Sequence, residues 1–181
     1  MLTIVVPYRG DSKRRLPPHL RAGAAVAMLG DVVEACADVG RTIVVTDDLA
    51  VVPGGADSLP DPGLGLGAAV AAGLAYGGGG HALVVNADLP CVTPPSLHRL
   101  AAAGLALVAA PDGTTNALSL PDPGAFAPLY GAGSARRFLA HAPFAVVDIP
   151  ELVEDADTEA DLERLAPRAG RRTRALLALT A

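Results

Sequence analysis

The sequence predicts an α/β protein with a largely parallel central sheet. Short apolar strands alternate along the chain with amphipathic helices, which is the pattern of βαβ units. Residues 82–85 are four consecutive apolar residues, as expected of a strand that is buried on both faces. The chain has 181 residues, which is enough for one sizeable core and short for two. We therefore expect residues 1–181 to form a single domain.

The first half of the chain is predicted to contain three strands and two helices. The strands cover residues 2–6, 41–46 and 82–85, and the helices cover residues 19–39 and 68–76. The first helix has an apolar stripe at a spacing of four residues, and Gly40 ends it. Residues 53–67 are rich in glycine and proline. Because they lead directly into the alanine-rich second helix, we predict a ligand-facing loop there, not a linker between domains.

The second half continues the alternation. Helices are predicted at residues 95–103, from the turn at 131–134 to about His141, and at 157–165 with Thr158 as its cap. Strands are predicted at 105–110, within 111–120 after an opening turn, and at 145–149. Residues 167–181 form a helix-like tail, whose leucines Leu176, Leu177 and Leu179 suit packing on the core or on a partner subunit. The sequence therefore leaves a homodimer as one possibility.

Composition excludes several classes of protein. The apolar share is 51%, but glycines and prolines interrupt it, and no stretch approaches the ~18–20 apolar residues of a transmembrane helix. The start of the chain lacks the pattern of a signal peptide, so we expect a cytoplasmic protein without a membrane partner. A net charge of -5 and the absence of Trp argue against a nucleic-acid partner. The two distant cysteines have no zinc-site spacing.

Asp88 follows the predicted strand at 82–85 and is itself followed by Leu89 and Pro90. Ligands of open α/β sheets bind just beyond the carboxyl ends of the strands, so an acid at this point can hold a cation over bound phosphate. The alternative is that Asp88 only caps the turn into the next helix. Its position alone leaves both roles open.

A basic segment follows the first predicted strand. Arg9, Lys13, Arg14, Arg15 and Arg21 crowd into it although the whole chain is acidic. Backbone amides at a helix start, together with a lysine and an arginine, would form a cradle for a triphosphate. The P-loop pattern GxxxxGK[ST] is absent. A solvated run of charge is the alternative interpretation of the same residues.

Two turns later in the chain have the composition of anion-binding turns. Gly131 to Ser134 precede a predicted helix, so their amides and the Ser134 hydroxyl suit a carboxylate or a phosphate. Asp112 to Thr115 form a second small-residue turn. An ordinary helix cap and an ordinary turn are the alternatives for the two segments.

Six motifs, in order, resemble one known family. They are VPYRGDSKRRL, GLGLGAAV, VVNADLPCVTPPSL, PDGTTNALSLP, LYGAGSARRFLAH and EDADTEADLERL. Together they span nearly the whole chain and resemble the 2-phospho-L-lactate and phosphoenolpyruvate guanylyltransferases of deazaflavin coenzyme biosynthesis. The resemblance implies a single-domain Rossmann-like nucleotidyltransferase fold with three α/β/α layers, shared with the molybdenum-cofactor guanylyltransferase. It also implies transfer of GMP from GTP to a small phosphorylated three-carbon acid, with release of pyrophosphate.

The resemblance assigns roles around the nucleotide. Lys13, with Arg15 beside it, matches the position that contacts the GTP phosphates, and Pro7 lies in the same motif. Gly65 and Gly67 match the loop that faces the guanine base. Relatives tend to have GLN where this chain has Gly-Leu-Gly, so a side-chain amide is missing from that loop.

The resemblance also assigns the metal and acceptor residues. Asp88 matches the metal-binding aspartate, and Mg²⁺ is the implied cation. Asn86 stands where a second acid would bind the cation more strongly, although its carbonyl oxygen remains a possible ligand. Asp157, with Asp155 and Asp161, lies in a terminal motif whose acids either approach the metal or cap a helix. Thr115, Gly131 and Ser134 match positions that hold the phosphorylated acid.

Two other functions remain as alternatives. A sugar transferase of related fold uses a DxD motif at the same strand end, but Asn86-Ala87-Asp88 lacks its first acid. A GTP-binding module without catalytic activity would bind nucleotide but release no product. Phosphoenolpyruvate is favoured over 2-phospho-L-lactate because the alanine-, arginine- and glycine-rich composition resembles that of actinobacterial members of the family. The two acids differ too little for a pocket to discriminate them strongly.

Overall fold

The computed structural model describes residues 1–10 and 15–180, and within these ranges it contains a seven-stranded sheet and seven α-helices. The strands are β1 (Thr3–Tyr8), β2 (Arg41–Thr46), β3 (Ala56–Pro60), β4 (Ala82–Val85), β5 (Ala106–Ala109), β6 (Thr115–Leu120) and β7 (Ala145–Val146). The helices are α1 (Pro18–Ala37), α2 (Leu66–Gly77), α3 (Pro94–Ala102), α4 (Ser134–His141), α5 (Pro150–Val153), α6 (Glu159–Leu165) and α7 (Arg171–Thr180).

The strands are ordered β3-β2-β1-β4-β6-β5-β7. Among the described strands only β6 runs antiparallel to its neighbours β4 and β5, whereas the other pairings are parallel. The predicted largely parallel sheet is therefore confirmed. Because β6 is reversed, its first residues lie at the same edge of the sheet as the carboxyl ends of β1, β2, β4 and β5.

Helices cover both faces of the sheet, as the three-layer prediction requires. Successive residues of a strand point to opposite faces, so Ile4 and Val6 of β1 pack with α1 and α3, whereas Val5 packs with α2. Phe138 of α4 is fully buried on the α2 side and contacts Phe144 edge to face, with ring centroids 5.7 Å apart. The fold is thus an α/β/α sandwich.

Two predicted segments differ from the structure. The prediction of a loop throughout 53–67 is wrong, because Ala56–Pro60 form the edge strand β3. An edge strand tolerates proline and keeps one side partly exposed, so β3 lacks the apolar pattern of a central strand. The strand predicted at 145–149 stops at Val146, and the short helix α5 follows where none was predicted.

The C-terminal tail forms a helix, as predicted, and α1 anchors it. Asp31 of α1 is buried, and its two carboxylate oxygens accept hydrogen bonds from the backbone amides of Arg172 (2.8 Å) and Thr173 (2.9 Å). A Cβ at Gly170 would lie 2.3 Å from the Asp31 carboxyl carbon, so only glycine allows this approach. Asp31 is therefore buried within the apolar helix α1 because its carboxylate caps the N-terminus of a second helix, α7. None of the helices described here has the length and apolarity needed to span a membrane.

Candidate active site

A cavity of about 210 Å³ opens at the carboxyl edge of the sheet. The ends of β1 and β4 form its floor, and the helices α1 and α2 form its walls. This is the position at which open α/β sheets bind ligands. The residues that line it are Pro7, Tyr8, Arg9, Ala25, Met28, Asp61, Leu66, Ala69, Asn86, Ala87 and Asp88.

Three carboxylates meet beside this cavity. One oxygen from each of Asp88, Asp155 and Asp157 lies within 4.8 Å of the other two, and all three residues are half-buried. Asp88 follows β4, whereas the other two belong to the loop between α5 and α6. The backbone amide of Ala156 donates to the Asp88 carbonyl oxygen at 3.1 Å and joins the two segments. The spacing of the acids allows them to share one cation.

Asn86 adds a neutral oxygen close to the first acid. Its Nδ2 donates to the Thr115 carbonyl oxygen at 3.2 Å, which fixes the side chain against β6. Its Oδ1 is buried and has no hydrogen-bond partner among the described residues. Buried polar oxygens are almost always satisfied, so an unsatisfied one at the cavity fits a role as a ligand. Carboxylate and amide oxygens together form a donor set that suits a hard divalent cation.

Asp161 has a different role from the other acids of its motif. Its Oδ2 accepts from the Thr158 amide (3.0 Å) and from the Thr158 hydroxyl (2.7 Å), while the Thr158 hydroxyl accepts from the Asp161 amide (3.2 Å). This is a capping box at the start of α6. Of the two roles left open for Asp161, the structure shows the helix cap.

Glu154 lies next to the acid group and is neutralised by two arginines. Arg164 and Arg168 both donate to its carboxylate, and Arg164 also contacts Asp161 at 3.0 Å. The hydrogen bond from Arg168 is the main cause of a lowered Glu154 pKa. Within this loop the two arginines thus compensate the charge of Glu154, whereas Asp155 and Asp157 lie close to Asp88.

The predicted basic segment is only partly described. Arg15 has its Nη1 3.7 Å from Asp157 Oδ2, and its side chain is 76% exposed, so it stands at the open side of the acid group. Lys13 lies outside the described residues. Arg9 instead pairs with Asp61, whose Oδ2 accepts from Arg9 Nε at 2.7 Å. Sequence reasoning missed Asp61, because it follows the strand β3 that was predicted as loop.

The ion pair of Asp61 should make the stability of the protein depend on pH. Its side chain is 2% exposed, and the hydrogen bond from Arg9 is the main reason that its pKa is lowered. A carboxylate with a lowered pKa stabilises the fold above its ordinary pKa of ~3.9 and loses this contribution as the pH falls through the lowered value. We expect Asp61→Asn to reduce the free energy of unfolding by about 1–3 kcal/mol at pH 7. In urea titrations the difference from wild type should shrink below about pH 4.

The matched control for Asp61→Asn is Asp57→Asn. Asp57 pairs with Arg41 at 2.8 Å, but both side chains are substantially exposed. Exposed pairs contribute only about 0–1 kcal/mol, so this variant should differ little from wild type at pH 7. A loss of stability in Asp61→Asn that stays constant from pH 7 to pH 3 would contradict the assigned ion pair.

The two predicted acceptor turns lie against each other. The hydroxyls of Thr115 and Ser134 are 3.0 Å apart and both residues are buried, so they tie β6 to α4. The Ala135 amide donates to the Gly113 carbonyl oxygen at 3.2 Å. Gly131 is exposed and has φ +111°. The motifs at 112–115 and 131–134 thus form one continuous surface next to Asn86.

The predicted base-facing glycines have separate surroundings. Gly65 is the N-cap of α2 and has φ +96° with open space around it. A Cβ at Gly67 would lie 2.5 Å from the Pro128 side chain, so packing against Pro128 already requires a glycine there. Neither glycine lines the cavity, whereas Leu66 between them does.

The sheet order and the three acids beside the cavity are features of a nucleotidyltransferase, and comparisons with known proteins agree. The sequence-family model of the MobA-like NTP transferase domain matches residues 20–147 of this chain. A 2-C-methyl-D-erythritol 4-phosphate cytidylyltransferase from Thermus thermophilus superposes with a TM-score of 0.62 at 20% identity, and the match covers 90% of this chain and 95% of that one. At this identity the likeness concerns the fold.

Two curated relatives are considerably more similar in sequence. The phosphoenolpyruvate guanylyltransferase of Nocardia farcinica is 39% identical over an alignment of 188 positions, and the alignment covers 90% of this chain and 82% of the relative. The 2-phospho-L-lactate guanylyltransferase of Haloferax volcanii is 37% identical over 172 aligned positions, and the alignment covers 89% of this chain and 82% of the relative. The chain therefore belongs to the MobA-like NTP transferases and, among them, to the family of the phosphoenolpyruvate and 2-phospho-L-lactate guanylyltransferases. The resemblance inferred from the six motifs is confirmed.

Proposed function

We propose that this enzyme transfers GMP from GTP to phosphoenolpyruvate, or to 2-phospho-L-lactate, and releases pyrophosphate. The observation that carries the proposal is the group of Asp88, Asp155 and Asp157, which lies beside the cavity and is linked to the acceptor turns through Asn86. Such a group can serve a nucleotide on one side and a phosphorylated acid on the other. The product would be an activated intermediate for deazaflavin coenzyme synthesis, as the resemblance implies.

Mg²⁺ is the cation that we propose for the acid group. Asp88 and Asp157 would hold it together with Asp155, and the Asn86 carbonyl oxygen is a further candidate ligand. When bound, it would supply positive charge to phosphate oxygens and so favour displacement at phosphorus. Oxygen-only ligands favour Mg²⁺ over softer metals.

On the nucleotide side, the chain supplies a mainly apolar cavity and the basic segment that follows β1. Pro7 and Leu66 line the cavity and would contact the nucleoside, with Gly65 and Gly67 shaping the loop around the base. Lys13 and Arg15 would neutralise the β- and γ-phosphates. Their charge is needed most as pyrophosphate departs, so they act as catalytic residues in this proposal.

On the acceptor side, the proposed contacts come from the two adjoining turns. The exposed turn at Gly131 precedes α4, where backbone amides favour a carboxylate or phosphate. Thr115 and Ser134 hold each other in place at the base of this turn. In the proposed complex, these two hydroxyls hydrogen-bond the phosphorylated acid. Their bonds to the acid would then replace the hydrogen bond between Thr115 and Ser134.

The reaction requires positioning more than proton transfer. An oxygen of the acceptor phosphate attacks the α-phosphorus of GTP, the new phosphoanhydride bond forms, and the bond to the β-phosphate oxygen breaks. The acceptor phosphate is ionised near neutral pH, because the second pKa of a phosphate ester is ~6, so no strong general base is needed. The chain has to align the two phosphates and neutralise the leaving group.

Pyrophosphate release is the direct test of this function. The purified protein is incubated with Mg²⁺, each of the four nucleoside triphosphates in turn, and either phosphoenolpyruvate or phospholactate. We expect pyrophosphate only with GTP, and more with phosphoenolpyruvate than with phospholactate. In a parallel incubation with a nucleotide sugar in place of the triphosphate, release of a nucleoside diphosphate would favour the sugar transferase. Tight GTP binding without product for any pair would favour the inactive binding module.

A further inference from the structure

Asn116, which none of the six motifs marked as a site residue, joins the start of β6 to the loop that carries two of the three acids. Its side chain is buried, and its Nδ2 donates to the carbonyl oxygens of Leu152 (3.2 Å) and Val153 (2.8 Å). These residues end α5, and the last carbonyls of a helix have no partners within it. Asn116 therefore satisfies both oxygens and fixes the end of α5 to the sheet.

The acid loop, residues 154–157, begins directly after this attachment. α5 itself spans only Pro150–Val153, which is too short to be stable without tertiary contacts. At its other end the loop is held by the capping box of Thr158 and Asp161. The position of the acid loop thus depends on these two fixed ends and on the Ala156 contact to the Asp88 carbonyl.

Asn116 also contacts the segment that carries the remaining ligand candidates. Its backbone carbonyl oxygen accepts a hydrogen bond of 3.0 Å from the backbone amide of Asn86, which lies just after β4 and two residues before Asp88. One residue therefore touches the backbones of both segments that supply acids. Its backbone holds the segment after β4, and its side chain holds the acid loop.

We propose that Asn116 is a positioning residue of the metal site, which sets the separation between Asp88 and the pair Asp155 and Asp157. It does not contact the cation or the substrates. The inference rests on the proposed metal site. Residues that orient metal ligands typically change metal affinity about 10–100-fold when they are replaced, and we expect the same range for Asn116.

The test measures the binding of Mn²⁺ alone to the protein, through the electron paramagnetic resonance signal of the free ion. Asn116→Leu keeps the branched shape of the side chain but removes both donated hydrogen bonds, and the dissociation constant for Mn²⁺ should rise at least tenfold. The matched control is Ser119→Ala. Ser119 lies on the same strand and is also buried, and its hydroxyl bonds to His81 Nε2 at 2.9 Å, away from the acid loop. This control should bind Mn²⁺ as wild type does.

Each outcome decides the proposal. Unchanged Mn²⁺ affinity in Asn116→Leu overturns it, and so does equal weakening in Ser119→Ala, because general destabilisation would then explain both. If Asn116→Leu does not fold, as judged by circular dichroism, Asn116→Ser is judged by the same criterion, since its hydroxyl is too short to reach both carbonyls. If Asp88→Asn binds Mn²⁺ as tightly as wild type, the proposed metal site itself fails and this inference fails with it.

Discussion

Asp88→Asn is expected to lower the turnover number at least about 10³-fold while the protein remains folded. This corresponds to about 4 kcal/mol of lost transition-state stabilisation. Asparagine has the same shape but no charge, so the acid group would hold a divalent cation much less tightly. The Asp88 backbone carbonyl, which accepts the bond from Ala156, is unaffected by the change. The measurement is steady-state pyrophosphate release with circular dichroism spectra of both proteins.

Asp122→Asn is the matched control for this variant. Asp122 follows the carboxyl end of β6, which lies at the opposite edge of the sheet because β6 is reversed. Its carboxylate accepts a hydrogen bond from the Gly124 amide in an exposed turn. Turnover in this control should equal that of wild type. Near-normal turnover in Asp88→Asn would remove Asp88 from the proposed mechanism.

Asp31→Ala is expected to reduce the free energy of unfolding by about 3 kcal/mol without affecting the chemistry of the site. The change leaves the amides of Arg172 and Thr173 without their carboxylate acceptor. A buried donor that loses its partner costs about 1–3 kcal/mol, and two donors are affected here. Urea titration followed by circular dichroism measures the difference, and the KM for GTP should stay unchanged in the folded variant.

The control for this second variant is Asp38→Ala. Asp38 is exposed just after α1, so its replacement should change the stability by no more than about 0.5 kcal/mol. Equal stability of Asp31→Ala and wild type would mean that the contact between α1 and α7 contributes nothing to folding. A raised KM for GTP with unchanged stability would assign Asp31 a functional role instead.

The sequence alone predicted those residues of the candidate site that lie next to strongly patterned elements. Asp88 was recognisable because an apolar strand precedes it, and Asp157 was recognisable from its motif. The role of Asp161 as a helix cap could be assigned only from the structure. Asp155, Asp157 and Asp161 are alike in sequence, and only the backbone geometry distinguishes the two candidate ligands from the cap.

The contacts that sequence reasoning missed involve weakly patterned elements. β3 is half-exposed and ends in a proline, so neither the strand nor Asp61 after it was apparent. α5 has four residues and therefore no periodicity to detect. Asn116 and Asp31 are polar residues inside apolar elements, and their partners lie 36 or more positions away in the chain. Such pairings follow from topology, which local patterns do not encode.

The reversed direction of β6 has a consequence for how this enzyme can be re-engineered. The proposed nucleotide contacts come from segments that follow β1 and β3, whereas the proposed acceptor contacts come from the hairpin between β5 and β6 and from the start of α4. The two sets of loops therefore belong to separate halves of the sheet, and they meet at Asn86, at the acid group and where Gly67 packs against Pro128. Exchanging residues 111–115 and 131–134 between relatives, with Pro128 left in place, should accordingly switch the preferred acid while leaving the choice of nucleotide intact.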